Sequence, residues 1–149
     1  MITRDAVVAE ARTWLDTPFR HQGRLKGVGV DCLGIIVEVG KAIGAVSRSA
    51  VNATDYGDAT AIDYGHIPKP SRMGDGLRTH LVSISIASAG AGDIVWMAWR
   101  TELHPQHLGI LTDIGILHAY SGIKKVVEHP LDTAWRARFK AAYRFPGVA

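Results

Sequence analysis

Cys32 is the one cysteine among 149 residues, and it lies between Asp31 and an apolar run of Leu33, Ile35, Ile36, Val37 and Val39. Aspartate is a favoured N-cap, so the pattern predicts a helix from Cys32 to about Ile43, with Lys41 in its last turn and Gly44 just past its end. The thiol then sits on the first turn, where unpaired backbone N–H groups and the helix dipole favour a negative charge. A cysteine in such a place is expected to ionise more readily than a free thiol and to act as a nucleophile. The competing reading is a small buried hydrophobe.

A nucleophilic thiol needs a base, and two histidines are candidates. His107 begins an apolar run ending at Leu111, and His118 lies within Ile116 to Tyr120. A two-residue turn at Asp113 and Ile114 would place Thr112 opposite Gly115. The histidines are then diagonal neighbours on one face of a hairpin, roughly 7–8 Å apart along the backbone and within reach of an imidazole hydrogen bond. Leu108, Ile110, Leu117 and Ala119 form the opposite, apolar face. In this arrangement His107 would take the proton of Cys32, and His118 would hold the far nitrogen of His107. A metal site using Cys32, His107 and His118, with His104 nearby, is a third reading, but the closed tetrahedral ligand spacings are absent.

The elements that position these groups follow from pattern. Thr3 can cap a first helix to about Leu15, with Ile2 and Val7 as a hydrophobic staple and Val7, Ala11 and Trp14 facing the core. The basic stretch Arg20 to Lys26 leads through glycines to Asp31. From Ala45 to about Pro70 the pattern fades into loop. Gly76 to Ile86 reads as a helix with Leu77, Leu81 and Ile84 on one face, and 88–92 as a turn. Strands are expected at Ile94–Met97, Leu108–Leu111, Ile116–Tyr120, Val126–Glu128 and Lys140–Phe145. Helices first and strands afterwards predict an α+β fold, with N-terminal helices on a mainly antiparallel sheet of four to six strands.

Composition bounds the function. Hydrophobic residues are 47% and charged residues 21%, as in a single globular domain spanning 1–149. One cysteine excludes an internal disulfide. The net charge of +3 comes without an aromatic-plus-basic stripe or finger-type zinc ligands, so no nucleic acid is expected. No apolar run has the length of a membrane span. Met1 to Asp5 lacks the plan of a signal peptide, so the chain is expected to be made in the cytoplasm and to need a carrier if it works outside.

Five blocks occur in register: Thr17-Pro18-Phe19-Arg20-His21-Gln22, Gly29-Val30-Asp31-Cys32-Leu33-Gly34, Gly92-Asp93-Ile94-Val95-Trp96, His107-Leu108-Gly109-Ile110-Leu111 and Ile116-Leu117-His118-Ala119-Tyr120. Together they resemble the NlpC-type cell-wall peptidases, more narrowly the branch carried by tailed phages and gene transfer agents. The closing Ala142-Tyr143-Arg144-Phe145-Pro146 is similar to that branch's C-terminus, and only about 45–75 shows no resemblance. The resemblance implies a papain-like fold and a cysteine endopeptidase without cofactor, cutting peptidoglycan stem peptides between D-γ-glutamate and the diamino acid. By position Cys32 matches the nucleophile, His107 the base and His118 the orienting residue. Two residues depart from the family pattern: Phe19 stands where tyrosine is usual, and Leu33 where serine is usual.

Further expectations attach to this resemblance. Phe19, Arg20, Arg24 and Asp31, just ahead of the nucleophile, are expected to contact substrate, the arginines by clamping stem-peptide carboxylates. A virion-like tail tip is the implied carrier, with tail hub or baseplate proteins as partners and Tyr56, Tyr64 and Ile67 as the candidate docking surface. The alternative is a non-enzymatic tail component that keeps the fold and binds cell wall or tail proteins.

Overall fold

The computed structural model describes residues 1–46, 76–99 and 106–149. His104 and the expected docking residues Tyr56, Tyr64 and Ile67 lie outside the described residues. Helix α1 (Arg4–Arg12) starts where Thr3 accepts a hydrogen bond from the Ala6 N–H at 3.0 Å. It stops earlier than expected. Thr13 Oγ1 donates to the Glu10 carbonyl at 2.6 Å, and the N–H groups of Thr13, Trp14 and Leu15 bond three residues back. The chain thus tightens into successive turns before Asp16 turns it at φ 67°.

Next comes a hairpin that the sequence pattern did not reveal: β1 (Arg24–Leu25) and β2 (Gly29–Val30), antiparallel, turning at Gly27 with φ 78°. Helix α2 (Cys32–Ala42) follows directly and ends at Gly44 with φ 76°. Its side chains are buried on nearly all sides, Leu33, Ile35, Ile36, Val37 and Val39 each being 3% exposed or less. Each such side chain contributes about 1.5–3 kcal/mol of hydrophobic stabilisation.

The remaining strands form one antiparallel sheet of six, in the order β3-β8-β4-β5-β6-β7. They are β3 (Val82–Ile84), β4 (Ile94–Met97), β5 (His107–Leu111), β6 (Ile116–Tyr120), β7 (Lys125–His129) and β8 (Phe139–Arg144). The expected helix over 76–86 is therefore corrected. Only 76–80 is helical, while Val82, Ser83 and Ile84 pair with Arg144, Tyr143 and Ala142. The outer edge of β8 offers backbone partners, and β-branched Val82 and Ile84 suit a strand better than a helix end. A short helix, α3 (Thr133–Arg136), capped by Asp132, was also not anticipated.

Helices α1 and α2 cover one face of the sheet. Val7, Ala11 and Trp14 share a core with Leu33 and Ile36 and with Leu108, Ile110, Leu117 and Ala119 from β5 and β6. The opposite face carries a smaller cluster, where Leu111, Ile116 and Met97 meet Trp135 and Phe139. Both faces of β5 are therefore buried. Arg12 ties α1 to the sheet by pairing Glu128 at 2.8 Å and also Asp113. No helix of the described residues is long and apolar enough to cross a membrane.

Candidate active site

The tip of α2 is pinned before any chemistry is considered. Asp31 Oδ1 accepts the Gly34 N–H and Oδ2 the Gln22 N–H, both at 2.7 Å. The loop from Arg20 to Gly23 is thereby drawn against the helix end. A Cβ on Gly34 would lie 2.6 Å from the Gly23 carbonyl oxygen, so this approach requires glycine. Asp31, expected among the substrate contacts, is only 2% exposed, and its carboxylate binds backbone groups that shape the turn.

Cys32 opens α2 and is half-buried. It meets β5 where that strand has an open edge. The β5–β6 ladder holds Ile110 against Leu117 and Leu111 against Ile116, and no paired positions nearer His107 are formed. Against this edge the thiol lies 3.9 Å from the Gln106 carbonyl, to which it donates, and the Leu108 N–H points to the sulfur. It makes no hydrogen bond to either His107 or His118.

The expected readily ionised thiol is not what the site provides. Burial pushes it up to about 12, and the Asp31 carboxylate adds to the shift. The backbone N–H groups of Leu108, Leu33 and Cys32 work in the opposite direction without overcoming it. Desolvation next to a fixed negative charge outweighs the helix end.

The two histidines meet as the hairpin parity predicts. Thr112 N–H bonds to the Gly115 carbonyl at 2.9 Å, the turn holds Asp113 and Ile114, and His107 Nε2 lies 2.6 Å from His118 Nδ1. Both rings are buried, at 5% and 0% exposure. Burial, then the positive charge of Arg138, lowers His107 to about 3. Burial, then the neighbouring His107, His129 and Arg138, lowers His118 to about 2. Both are therefore neutral imidazoles near pH 7, able to accept a proton rather than already carrying one.

Several residues around them escaped the sequence reading. Trp99 stacks on His107 with ring centroids 4.8 Å apart, and Tyr120 on His118 at 5.1 Å. Trp135, delivered by α3, meets His118 edge-on at 5.2 Å, and Arg138 lies over its ring at 4.3 Å. His118 Nε2 is 2.9 Å from His129 Nε2. A signal for His129 was available. It follows His118 by 11 residues, as His118 follows His107, but the expected strand ended one residue short of it.

The loop ahead of Cys32 is split in role. Phe19 is half-buried against the main core, and its N–H bonds to the Lys124 carbonyl at 2.8 Å. It bridges to Val30, two residues before Cys32. Arg20 is exposed, its stem lying over Gly29, where a Cβ would come within 2.3 Å of Arg20 Cγ. Arg24 points elsewhere. It lines a groove of about 420 Å³ with Glu10, Trp14, Glu38 and Lys41, and Cys32 is not part of that lining. Arg24, expected to contact substrate, is turned toward α1 and α2 by the β1–β2 hairpin.

No protein-family model and no curated protein matches the sequence. Solved structures do. The chain is similar to the NlpC/p60 domain of the peptidoglycan hydrolase SagA, at 20% identity and a TM-score of 0.62, covering 94% of this chain and 97% of that one. It is also similar to an NlpC/P60 family protein from Bacillus cereus ATCC 10987, at 19% identity and 0.66, covering 95% of this chain and 40% of that one. A protein from Staphylococcus aureus subsp. aureus Mu50, described as similar to lipoprotein of the NLP/P60 family, aligns at 19% identity and 0.61, over 96% of this chain and 41% of that one. The chain thus spans nearly all of the first and about two fifths of the other two. With the helix-borne cysteine and the antiparallel sheet, this likeness establishes the fold as papain-like α+β of the NlpC/p60 kind.

Proposed function

We propose that this chain is a cysteine endopeptidase that hydrolyses peptidoglycan stem peptides at the bond between D-γ-glutamate and the diamino acid. The observation that carries the reading is the pairing of His107 and His118 at the start of the strand against which the Cys32 thiol rests. The likeness to NlpC/p60 domains supports it, as does the sequence resemblance. In this reading Cys32, His107 and His118 act as nucleophile, base and orienting residue.

Because the free thiol is neutral, deprotonation accompanies attack. His107 Nδ1 takes the proton while Sγ bonds to the scissile carbonyl carbon. Backbone N–H groups at the tip of α2 stabilise the oxyanion. The intermediate collapses to a thioester as His107 returns the proton to the leaving amine. Water, deprotonated by His107, then releases the acid and restores the thiol. Hydrogen bonds of this kind are commonly loose without substrate and close on binding. Arg20, exposed ahead of the nucleophile, is the residue of the basic loop proposed to clamp a stem-peptide carboxylate.

Digestion of purified sacculi with mass spectrometry of the released fragments tests the reading. Cys32→Ala is expected to abolish release while the circular dichroism spectrum is unchanged. Full activity in that variant would sink the assignment. We place the working location at a virion-like tail tip acting on the envelope of the target bacterium, with hub or baseplate proteins as partners. Purified particles should then contain the chain in near-stoichiometric ratio to a tail protein.

A non-enzymatic tail component is the second reading, favoured by the raised thiol and by Phe19 in place of tyrosine. Labelling of Cys32 by a stem-peptide thiol probe, suppressed in His107→Ala, separates the two.

A further inference from the structure

We infer that His129 is a positioning residue for the site, fixing through His118 which nitrogen of His107 is free to accept a proton. The inference rests on the peptidase reading for its purpose but not for its geometry. His129 Nδ1 lies 2.9 Å from the Pro130 carbonyl oxygen, which can only accept, so Nδ1 carries the hydrogen. A neutral His129 then has a lone pair on Nε2. His118 Nε2 is 2.9 Å away and must donate to it. That leaves His118 Nδ1 as an acceptor, and His107 Nε2, at 2.6 Å, donates in turn. His107 is left with its lone pair on Nδ1.

One backbone carbonyl thus sets the tautomers of three rings in sequence. His107 and His118 alone would not do so, because two neutral imidazoles can share a hydrogen bond in either direction. The rings are also fixed in place. Trp135 packs against both His118 and His129, at 5.2 and 4.9 Å between centroids. Positive charge from Arg138 reaches His107 and His118, and among the described residues no carboxylate is a charge partner of either, so these two rings stay neutral together. In proteases of this chemistry the wrong tautomer on the base costs orders of magnitude in turnover, because no lone pair faces the nucleophile.

The test uses the full chain with ring-15N histidine and two-bond 1H–15N spectra at pH 7, read without substrate. The wild type should show His107 and His118 protonated on Nε2 and His129 on Nδ1. His129→Gln keeps an oxygen able to accept from His118, so the His107 signals should remain and kcat should stay within about threefold. His129→Phe keeps the ring but not the acceptor. Its His107 should become a mixture of tautomers, with kcat lowered at least about tenfold and KM nearly unchanged. A wild-type His107 protonated on Nδ1 overturns the inference, even if the Phe variant fails to fold. Identical His107 spectra in wild type and His129→Phe also overturn it. If no variant hydrolyses muropeptides, the spectra still decide the tautomers, so failure of the peptidase reading is seen separately.

Discussion

Two buried polar clusters occupy the sheet, and they are built on opposite principles. At one, Asp93 has a fully buried side chain and meets Arg144 at 2.8 Å and Arg4 at 3.0 Å, with the Gly90 N–H also donating to it. Burial works to raise its pKa, but the hydrogen bonds from Arg144, Gly90 and Arg4 hold it below the usual carboxylate range. The cluster joins the first turn of α1 to β4 and β8. At the other, His107, His118 and His129 face one another with no counter-ion among the described residues, and Arg138 sets a positive charge near His107 and His118. Matched charge gives a joint that stays ionised across the working pH range. His107 and His118, buried without a matching charge, stay neutral, which suits proton acceptance and costs stability in acid.

Breaking each cluster should give different losses. His107→Ala should lower muropeptide hydrolysis by on the order of 10³-fold or more with little change in melting temperature. His118→Asn, which can still accept from His107, should retain more turnover than His118→Ala. Equal loss for the two would contradict an orienting role. Asp93→Ala should reverse the pattern. It leaves two arginines and a buried N–H without their acceptor and should cost about 2 kcal/mol in urea denaturation, with turnover of the folded fraction preserved.

Acid should separate the clusters by window. His107 has an ordinary value of 6.5 and is lowered to about 3, so below pH 6.5 the unfolded chain binds a proton that the folded chain does not. Stability should therefore fall as pH drops from about 6.5 toward 3, more gently in His107→Leu. Asp93 is depressed from an ordinary carboxylate, so its contribution is present at pH 5 and is lost only below about pH 4. Denaturation midpoints across pH 3 to 8 in wild type and the two single variants check this. A single loss confined below about pH 4 would show that the histidines are not held neutral.

The smallest effect concerns the thiol alone. With its value near 12, Cys32 should react with iodoacetamide at pH 7 more slowly than a model thiol, and faster as pH rises. Rapid alkylation at pH 6–7 would mean that the α2 tip, not burial, governs the thiol.

Local pattern alone determined much of this molecule. The Asp31 cap placed Cys32 on the first turn of α2, and the two-residue turn after Thr112 set the parity that brings His107 to His118. Those features depend on nearest neighbours and on the alternation of side chains along strands, which a linear sequence records. Tertiary structure decided the rest. Val82 to Ile84 became a strand because β8 offered an edge, and the hairpin turned Arg24 away from Cys32. His129 joined the other histidines only through β6–β7 pairing, with Trp135 and Arg138 arriving from beyond β7. The charge state of Cys32 reversed from expectation because desolvation depends on everything packed around a group, whereas a helix cap depends on its own few residues.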